Sequence, residues 1–236
     1  VDKVYNGNSS DAVTLSVVGV QGSDSLTLGY GTAVFADPNV SYGAGVPVAK
    51  AVRVEGINVS GAAAGNYTFN TAASTTAIIR PATLVVTAAA TNKAYDRDNL
   101  AAVTLSNNAI SGDAVTLAYV GASFSDANAA NGKTVTVSGL SLLGAAAGNY
   151  TLNGVNAVTA LADITKIGLT IAATNDTKVY GITTTASALT YAASGASAAV
   201  STTDPSRFAV AGLLAGDAVA GVTLTSQGGV VGATVL

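Results

Sequence analysis

The eight residues GAAAGNYT occur twice in the chain, at Gly61–Thr68 and again at Gly144–Thr151. Identity over eight positions at two places indicates an internal repeat. Glycine suits a tight backbone turn, and an asparagine side chain can bond the nearby backbone. We expect a short helical turn over the alanines 62–64. This stretch, called the anchor below, sets the register for aligning the rest of the chain.

Other motifs recur around the anchor in the same order. Lys-x-Tyr opens three units, and its tyrosines, Tyr5, Tyr95 and Tyr180, are 90 and 85 residues apart. Apolar and hydroxyl residues then alternate at residues 12–16 and at residues 102–106, which predicts half-buried strands. Further on, a Gly/Asp turn leads into a second alternating strand, and a phenylalanine follows that we expect in the core. The repeat positions that we predict to be structural are Tyr5, Tyr95, Tyr180, Tyr30, Tyr119, Phe35, Phe124, Gly65, Asn66, Tyr67, Gly148, Asn149 and Tyr150.

The recurring motifs divide the chain into repeat 1, residues 1–81, repeat 2, residues 82–166, and a third unit, residues 167–236. Each of the first two units closes on a strand that runs almost directly into the next unit, past Pro81 in the first case. Joints this short restrict bending. Repeat 1 lacks the opening strand that repeat 2 has at residues 83–87, and the third unit lacks the anchor, so we expect both to be incomplete.

Alternation and turn spacing predict an all-β fold. We expect tandem small β-sandwich-like modules arranged end to end as an elongated rod. A β-grasp-like sheet with one short helix around the anchor is the alternative. Hydrophobic residues make up 49% of the chain but aromatic residues only 6%, so the predicted cores are thin and built from small side chains.

Composition also excludes several classes of function. Charged residues are 10% of the chain and the net charge is −3, which is the wrong sign for nucleic-acid binding. No run of 18 apolar residues occurs, so we expect no insertion into a membrane. The chain contains neither cysteine nor histidine. Disulfides, thiolate chemistry and the usual zinc and copper ligands are therefore absent.

Catalysis finds little support in the sequence. Neither G-x-S-x-G nor S-x-x-K occurs, and no histidine is present to act as a base. Glu55 is the only glutamate. The aspartates recur in pairs at turn positions, Asp24 with Asp113 and Asp37 with Asp126, which favours turn capping over a converging glycosidase pair. We therefore predict that the chain is not an enzyme.

Three smaller features leave alternatives open. The Asp96–Asn99 segment is interpreted as a polar hairpin turn, with a structural calcium site as the alternative, and no other cofactor is expected. Lysines recur at the unit starts, as Lys3, Lys93 and Lys178. We interpret them as edge-strand lysines whose charge discourages aggregation, with a Lys–Asn isopeptide crosslink as the alternative. Tyr42 lies in an insertion of about six residues that is particular to repeat 1, and it is the candidate for an exposed, sugar-stacking tyrosine.

The motifs KVYNG and KAYD, GD-x-V-T-L-x-Y, GAAAGNYT and the joint I-x-P-A-T-L-V-V-T together resemble the YDG repeats of large bacterial surface proteins, over residues 1–166. The third unit is similar to the MBG repeats of the same proteins. The resemblance implies an extracellular location at the bacterial cell surface, beside filamentous-haemagglutinin-like domains. It implies no catalytic residue.

Three functions follow as hypotheses. The first is a structural stalk of a surface adhesin or fibre, whose partners are the neighbouring repeats of the same or an identical chain. The second is the subunit of a head-to-tail filament in which a strand of one chain completes the sheet of the next. The third is a module that binds a glycan or a matrix protein through the 42–49 insertion or through residues 194–208.

Overall fold

The computed structural model describes residues 1–173, 198–202, 208–219 and 222–226. The chain forms two compact units. Unit 1 holds repeat 1 and most of repeat 2, as Val1–Asn92, Asp98–Ala127 and Asn131–Asp163. Unit 2 holds Lys93–Arg97, Asn128–Ala130 and the described residues from Ile164 onwards.

Short strands account for nearly all the regular structure. The strands of repeat 1 are β1 (Lys3–Val4), β2 (Thr27–Gly29), β3 (Thr32–Phe35), β4 (Tyr42–Gly43), β5 (Val46–Pro47), β6 (Lys50–Glu55), β7 (Asn58–Ser60), β8 (Ala72–Ala77) and β9 (Ile79–Arg80). The strands of repeat 2 are β10 (Ala82–Thr83), β11 (Val86–Ala90), β12 (Lys93–Ala94), β13 (Val103–Asn107), β14 (Thr116–Ala118), β15 (Gly121–Phe124), β16 (Ala130–Ser138), β17 (Ser141–Leu143), β18 (Tyr150–Thr151) and β19 (Ala157–Thr165). The remaining described strands are β20 (Thr170–Ala173), β21 (Ala198–Thr202), β22 (Phe208–Ala211) and β23 (Val222–Ser226).

The prediction of an all-β fold is confirmed. Within the described ranges, the helical segments are two 3-10 turns of three residues each, Ala64–Asn66 and Ala147–Asn149. Both lie inside the anchor, so the helical turn begins two residues later than the sequence indicated. No helix among the described residues is long and apolar enough to cross a membrane.

The two repeats share four strand pairings. In repeat 1, β3, β6 and β8 form an antiparallel sheet, and β2 pairs with β7 in antiparallel fashion. In repeat 2, β15, β16 and β19 are neighbours in the corresponding order, and β14 pairs with β17. The strand of each Lys-x-Tyr motif lies parallel to the closing strand of its repeat, β1 to β9 and β12 to β19. The repeated sequence therefore folds twice into the same plan.

Inward-facing residues of these sheets build the core of unit 1. Phe35 and Val52 are 2% and 0% exposed, and their counterparts Phe124 and Val135 are equally buried. Along β6 and β16 buried and exposed residues alternate, as the period-two pattern predicted. One continuous cluster joins Phe35 of repeat 1 to Tyr150 of repeat 2.

One strand predicted in both repeats forms in only one of them. Residues 103–107 form β13, which pairs antiparallel with β11. The equivalent residues 13–17, and with them the whole strand predicted at residues 12–16, have no strand conformation. The prediction was wrong for repeat 1 because β11 supplies the ladder of hydrogen bonds and residues 1–81 contain no counterpart of β11.

Candidate functional site at the junction of the repeats

A tyrosine from each repeat converges on one carboxylate in unit 1. The Tyr5 hydroxyl donates to Oδ2 of Asp113 at 2.9 Å, and the Tyr150 hydroxyl donates to the same oxygen at 2.5 Å. The two rings pack edge to face, with centroids 5.4 Å apart. Both tyrosines are 6% exposed. This group, called the tyrosine–aspartate cluster, links the opening motif of repeat 1 to the Gly-Asp turn and the anchor of repeat 2.

Local backbone structure places each member of the cluster. The Tyr5 amide donates to the carbonyl of Arg80 at 2.8 Å, which extends the pairing of β1 with β9. Asp113 lies in a tight turn whose glycine, Gly112, has a φ of +97°, a value that residues with a Cβ rarely adopt. Tyr150 begins β18, and its hydroxyl also accepts the amide hydrogen of Ile110 at 2.9 Å.

The cluster is electrostatically suited to holding structure together. Burial raises the pKa of Tyr5 to about 12, and the hydrogen bond to Asp113 acts in the same direction. Burial and the same carboxylate also raise the pKa of Tyr150. Both phenols are therefore neutral hydrogen-bond donors at physiological pH. The Asp113 carboxylate accepts hydrogen bonds from both hydroxyls and so connects the two repeats.

A second set of contacts joins residues 39–42 of repeat 1 to the anchor of repeat 2. The Val40 amide donates to Oδ1 of Asn149 at 2.9 Å, and Nδ2 of Asn149 donates to Oδ1 of Asn39, also at 2.9 Å. Asn149 is 5% exposed. The Tyr42 hydroxyl donates to the carbonyl of Gly148 at 2.8 Å. Tyr42, predicted as an exposed candidate for ligand binding, is 46% exposed, but its hydroxyl is engaged at the junction.

The anchor of repeat 1 has the same contact within its own repeat as the anchor of repeat 2, but its asparagine lies in a different environment. The Tyr67 hydroxyl donates to Oδ2 of Asp24 at 2.7 Å, which matches the pair formed by Tyr150 and Asp113. Asn66, however, is exposed, whereas its counterpart Asn149 is buried. Identical sequence therefore has two environments, because residues 39–42 of repeat 1 contact the second anchor.

The other repeat positions named from the sequence are distributed over the fold. Tyr30 packs against the core and its hydroxyl accepts the Val13 amide hydrogen at 3.3 Å, whereas Tyr119 is 42% exposed. The Tyr95 amide donates to the carbonyl of Thr165 at 2.9 Å, as Tyr5 does to Arg80. Tyr180 and Lys178 lie outside the described residues, as does most of the 194–208 segment.

Two lysines with buried side chains cap the Asp-x-Asn turns, and the sequence pattern did not indicate them. Lys50 Nζ lies 2.6 Å from Oδ1 of Asp37 and donates to the carbonyls of Asp37 and Asn39. Lys133 makes the same ion pair with Asp126. The Lys50 side chain is 8% exposed, and its hydrogen bond lowers the pKa of Asp37. These contacts fit the predicted turn-capping role of Asp37 and Asp126.

The lysine and calcium candidates that the structure describes have structural partners. Lys3 Nζ donates to the carbonyls of Asn8 and Ser10, at 2.9 and 2.8 Å, and so closes the loop after β1. Lys93 Nζ lies 2.7 Å from Oδ1 of Asp96. Across the described ranges, no group of three or more Asp, Glu, His or Cys residues is arranged to hold a metal ion.

Unit 2 contains an open, mainly apolar cleft of about 410 Å³. Its lining includes Tyr95, Leu169, Leu213, Asp217 and Val219. Within the same unit, Nε of Arg97 lies 3.3 Å from Oδ1 of Asp217, which follows a glycine just as Asp113 does. The Gly-Asp turn at residues 216–217 thus contacts the opening motif of repeat 2, as the Gly-Asp turn at residues 112–113 contacts that of repeat 1. The cleft lies beside the contact in unit 2.

The family relationship agrees with the repeat structure. No curated protein and no solved structure is significantly similar to the chain. The family model of the YDG domain matches residues 1–77 and residues 80–160, which together are more than half of the chain. The chain therefore belongs to the YDG domain family, of which it carries two consecutive copies.

Proposed function

We propose that the chain is a structural stalk segment of an extracellular bacterial surface adhesin or fibre. Its function would be to hold a more distal part of the protein away from the cell surface by reach and stiffness. The observation that carries the proposal is the junction in unit 1, where buried, hydrogen-bonded side chains of both repeats interlock. A junction of this kind resists bending, because bending would separate Tyr5 from Asp113 and Asn39 from Asn149.

The recurring polar residues support a role without chemistry. Asp37 is held by Lys50, and Asp113 is held by Tyr5 and Tyr150. Groups that catalyse reactions are expected in a cleft with room for a substrate beside them. Here the carboxylates that recur between repeats are used to fix turns and the junction. We therefore propose no catalytic activity and no cofactor.

A glycan- or matrix-binding module is the second candidate, and the half-exposed ring of Tyr42 is the observation that favours it. An aromatic face at the surface can stack on a sugar. The stalk proposal is preferred because the Tyr42 hydroxyl and the neighbouring Val40 amide are used by the anchor of repeat 2. A tyrosine at this position is explained by the junction alone.

Surface display tests the proposal. The full chain is placed between a bacterial outer-membrane anchor and a terminal peptide epitope, as one copy or two in tandem. If the chain is a stalk, antibody access to the epitope on cells covered by a surface polysaccharide should rise with copy number. A glycan and matrix-protein binding screen of the purified chain is run alongside. Binding that is lost in Tyr42→Ala, with access independent of copy number, would instead support the binding module.

A further inference from the structure

Both copies of the anchor contain the tripeptide NYT, at residues 66–68 and at residues 149–151. A sequence of the form Asn-x-Ser/Thr is the acceptor for N-linked glycosylation, which attaches a sugar to the asparagine side chain. Modification of a folded chain also requires that the asparagine and the hydroxyl two residues later are accessible to the transferase. Because both anchors read GAAAGNYT, a difference between them as acceptors arises from the fold.

The copy in repeat 1 presents its acceptor groups at the surface. Asn66 ends the first 3-10 turn, and both Asn66 and Thr68 are exposed. Tyr67 between them is half-buried and fixes the segment, since its hydroxyl donates to Asp24 at 2.7 Å and accepts the Gln21 amide hydrogen at 3.0 Å. Within the described part of the chain, neither the Asn66 side chain nor the Thr68 hydroxyl makes a hydrogen bond.

The copy in repeat 2 is closed to a transferase. Asn149 is 5% exposed. Its Oδ1 accepts the Val40 amide hydrogen and its Nδ2 donates to Oδ1 of Asn39, each at 2.9 Å. The next two residues form β18, which pairs with β10. The nitrogen that would accept a sugar is therefore a donor inside a protein contact, and it is reached only when the junction opens.

The other acceptor sequences in the described ranges are also engaged. They begin at Asn8, Asn39 and Asn58, whose side-chain amides are hydrogen-bonded to Lys3 and Ser10, to Asn149 and to Gly56, respectively. Another such sequence, at Asn175, lies outside the described residues. Among the described acceptor sequences, the one at Asn66 alone combines an exposed asparagine with a side chain that makes no hydrogen bond.

We propose that Asn66 is a site of N-linked glycosylation and that the junction excludes Asn149 from the same modification. In the reaction, Nδ2 of Asn66 forms a bond to the anomeric carbon of a nucleotide-activated hexose. The bond from that carbon to the nucleotide breaks, the nucleoside diphosphate leaves, and a base of the transferase takes the amide proton. The inference goes beyond the proposed stalk and does not depend on it, because an exposed acceptor site is compatible with any role of the chain.

Glycosylation of the folded chain by a purified transferase tests the inference. The enzyme is one that transfers a hexose from its nucleotide to the free peptide GAAAGNYT, and the products are located by peptide mass mapping. We expect modification at Asn66 to be at least about tenfold faster than at Asn149, because the buried amide reacts only after local opening. In peptides cut from the chain, which have the same sequences without the fold, the two rates should be equal. The variant Asn66→Gln, which lacks this acceptor, is the control.

Chain recovered from the cells that produce it completes the test. Its peptide that contains Asn66 should carry a hexose on that residue, and its peptide that contains Asn149 should be unmodified. Equal rates at the two asparagines in the folded chain would overturn the inference, because the fold would then not select between them. Faster modification at Asn149, or an unmodified Asn66 in the recovered chain, would overturn it as well.

Discussion

The Tyr5 hydroxyl donates a hydrogen bond to the Asp113 carboxylate across 108 residues of sequence, at 2.9 Å. Tyr5 belongs to the opening motif of repeat 1, and Asp113 belongs to the Gly-Asp turn of repeat 2. The bond therefore joins two motifs that recur along the chain. The plan shared by the repeats thus also supplies the contact between them.

Loss of this hydroxyl should weaken the junction. We expect Tyr5→Phe to lower the free energy of unfolding by about 1–2 kcal/mol, because a buried hydrogen bond to a charged acceptor is lost. Urea denaturation followed by tyrosine fluorescence measures the change. Tyr67→Phe is the control, since Tyr67 makes the same type of bond to Asp24 in a more exposed place. A cost for Tyr67→Phe equal to that for Tyr5→Phe would contradict a special role of the junction.

The same cluster predicts sensitivity to alkali. The pKa of Tyr5 is raised from its ordinary value of 10.0 to about 12, so the folded state holds the phenolic proton more tightly than the unfolded state. The stabilisation is complete below pH 10 and is lost as the pH rises through 12. The stability difference between the natural chain and Tyr5→Phe should therefore shrink over this interval. A difference that grows with pH would show that the assigned direction of the shift is wrong.

The two copies of the anchor provide a comparison at identical sequence. Asn149→Ala removes the acceptor of the Val40 amide and the donor to Asn39 inside a buried contact, which should cost about 2 kcal/mol. Asn66→Ala changes the equivalent exposed residue and should alter stability by less than about 0.5 kcal/mol. Thermal unfolding of the two variants measures both effects. Comparable losses would mean that the asparagine serves only the anchor turn itself.

Acid should weaken the turn capped by Lys50. The hydrogen bond from Lys50 lowers the pKa of Asp37 below its ordinary value of 3.8. Asp37 therefore contributes stability above about pH 4, and this contribution is lost as the pH falls through the lowered value. Asp37→Asn should reduce the acid-dependent part of the loss in a pH titration of stability. If the stability of Asp37→Asn depends on pH in the same way as that of the unsubstituted chain, Asp37 does not contribute to the loss of stability in acid.

The repeat plan could be predicted from sequence, because motifs such as GAAAGNYT fix the alignment and period-two alternation fixes the strand type. The environments of Asn66 and Asn149 could not, since both residues have identical neighbours along the chain. Their difference arises from the Asn39–Tyr42 segment, which reaches the second anchor across more than 100 residues. Local pattern carries no information about a contact of that separation.

Two other features were missed for identifiable reasons. Lys50 and Lys133 are equivalent in the fold, but the insertion in repeat 1 separates Lys50 from its turn aspartate by 13 residues while Lys133 follows by 7. The strand predicted at residues 12–16 has the right alternation and lacks a partner. A strand requires hydrogen bonds to a neighbouring strand. Alternation therefore shows which residues are able to form a strand, but it does not show whether a partner strand is present.

Small-angle scattering combined with light scattering, over a range of concentrations, tests the central proposal most directly. A stalk segment predicts a constant mass of 22.9 kDa and a maximum dimension on the order of 100 Å for modules in line. Its radius of gyration should be well above the roughly 18 Å of a compact domain of this length. A radius near that compact value would contradict the stalk. A mass that rises with concentration would instead identify the chain as a filament subunit.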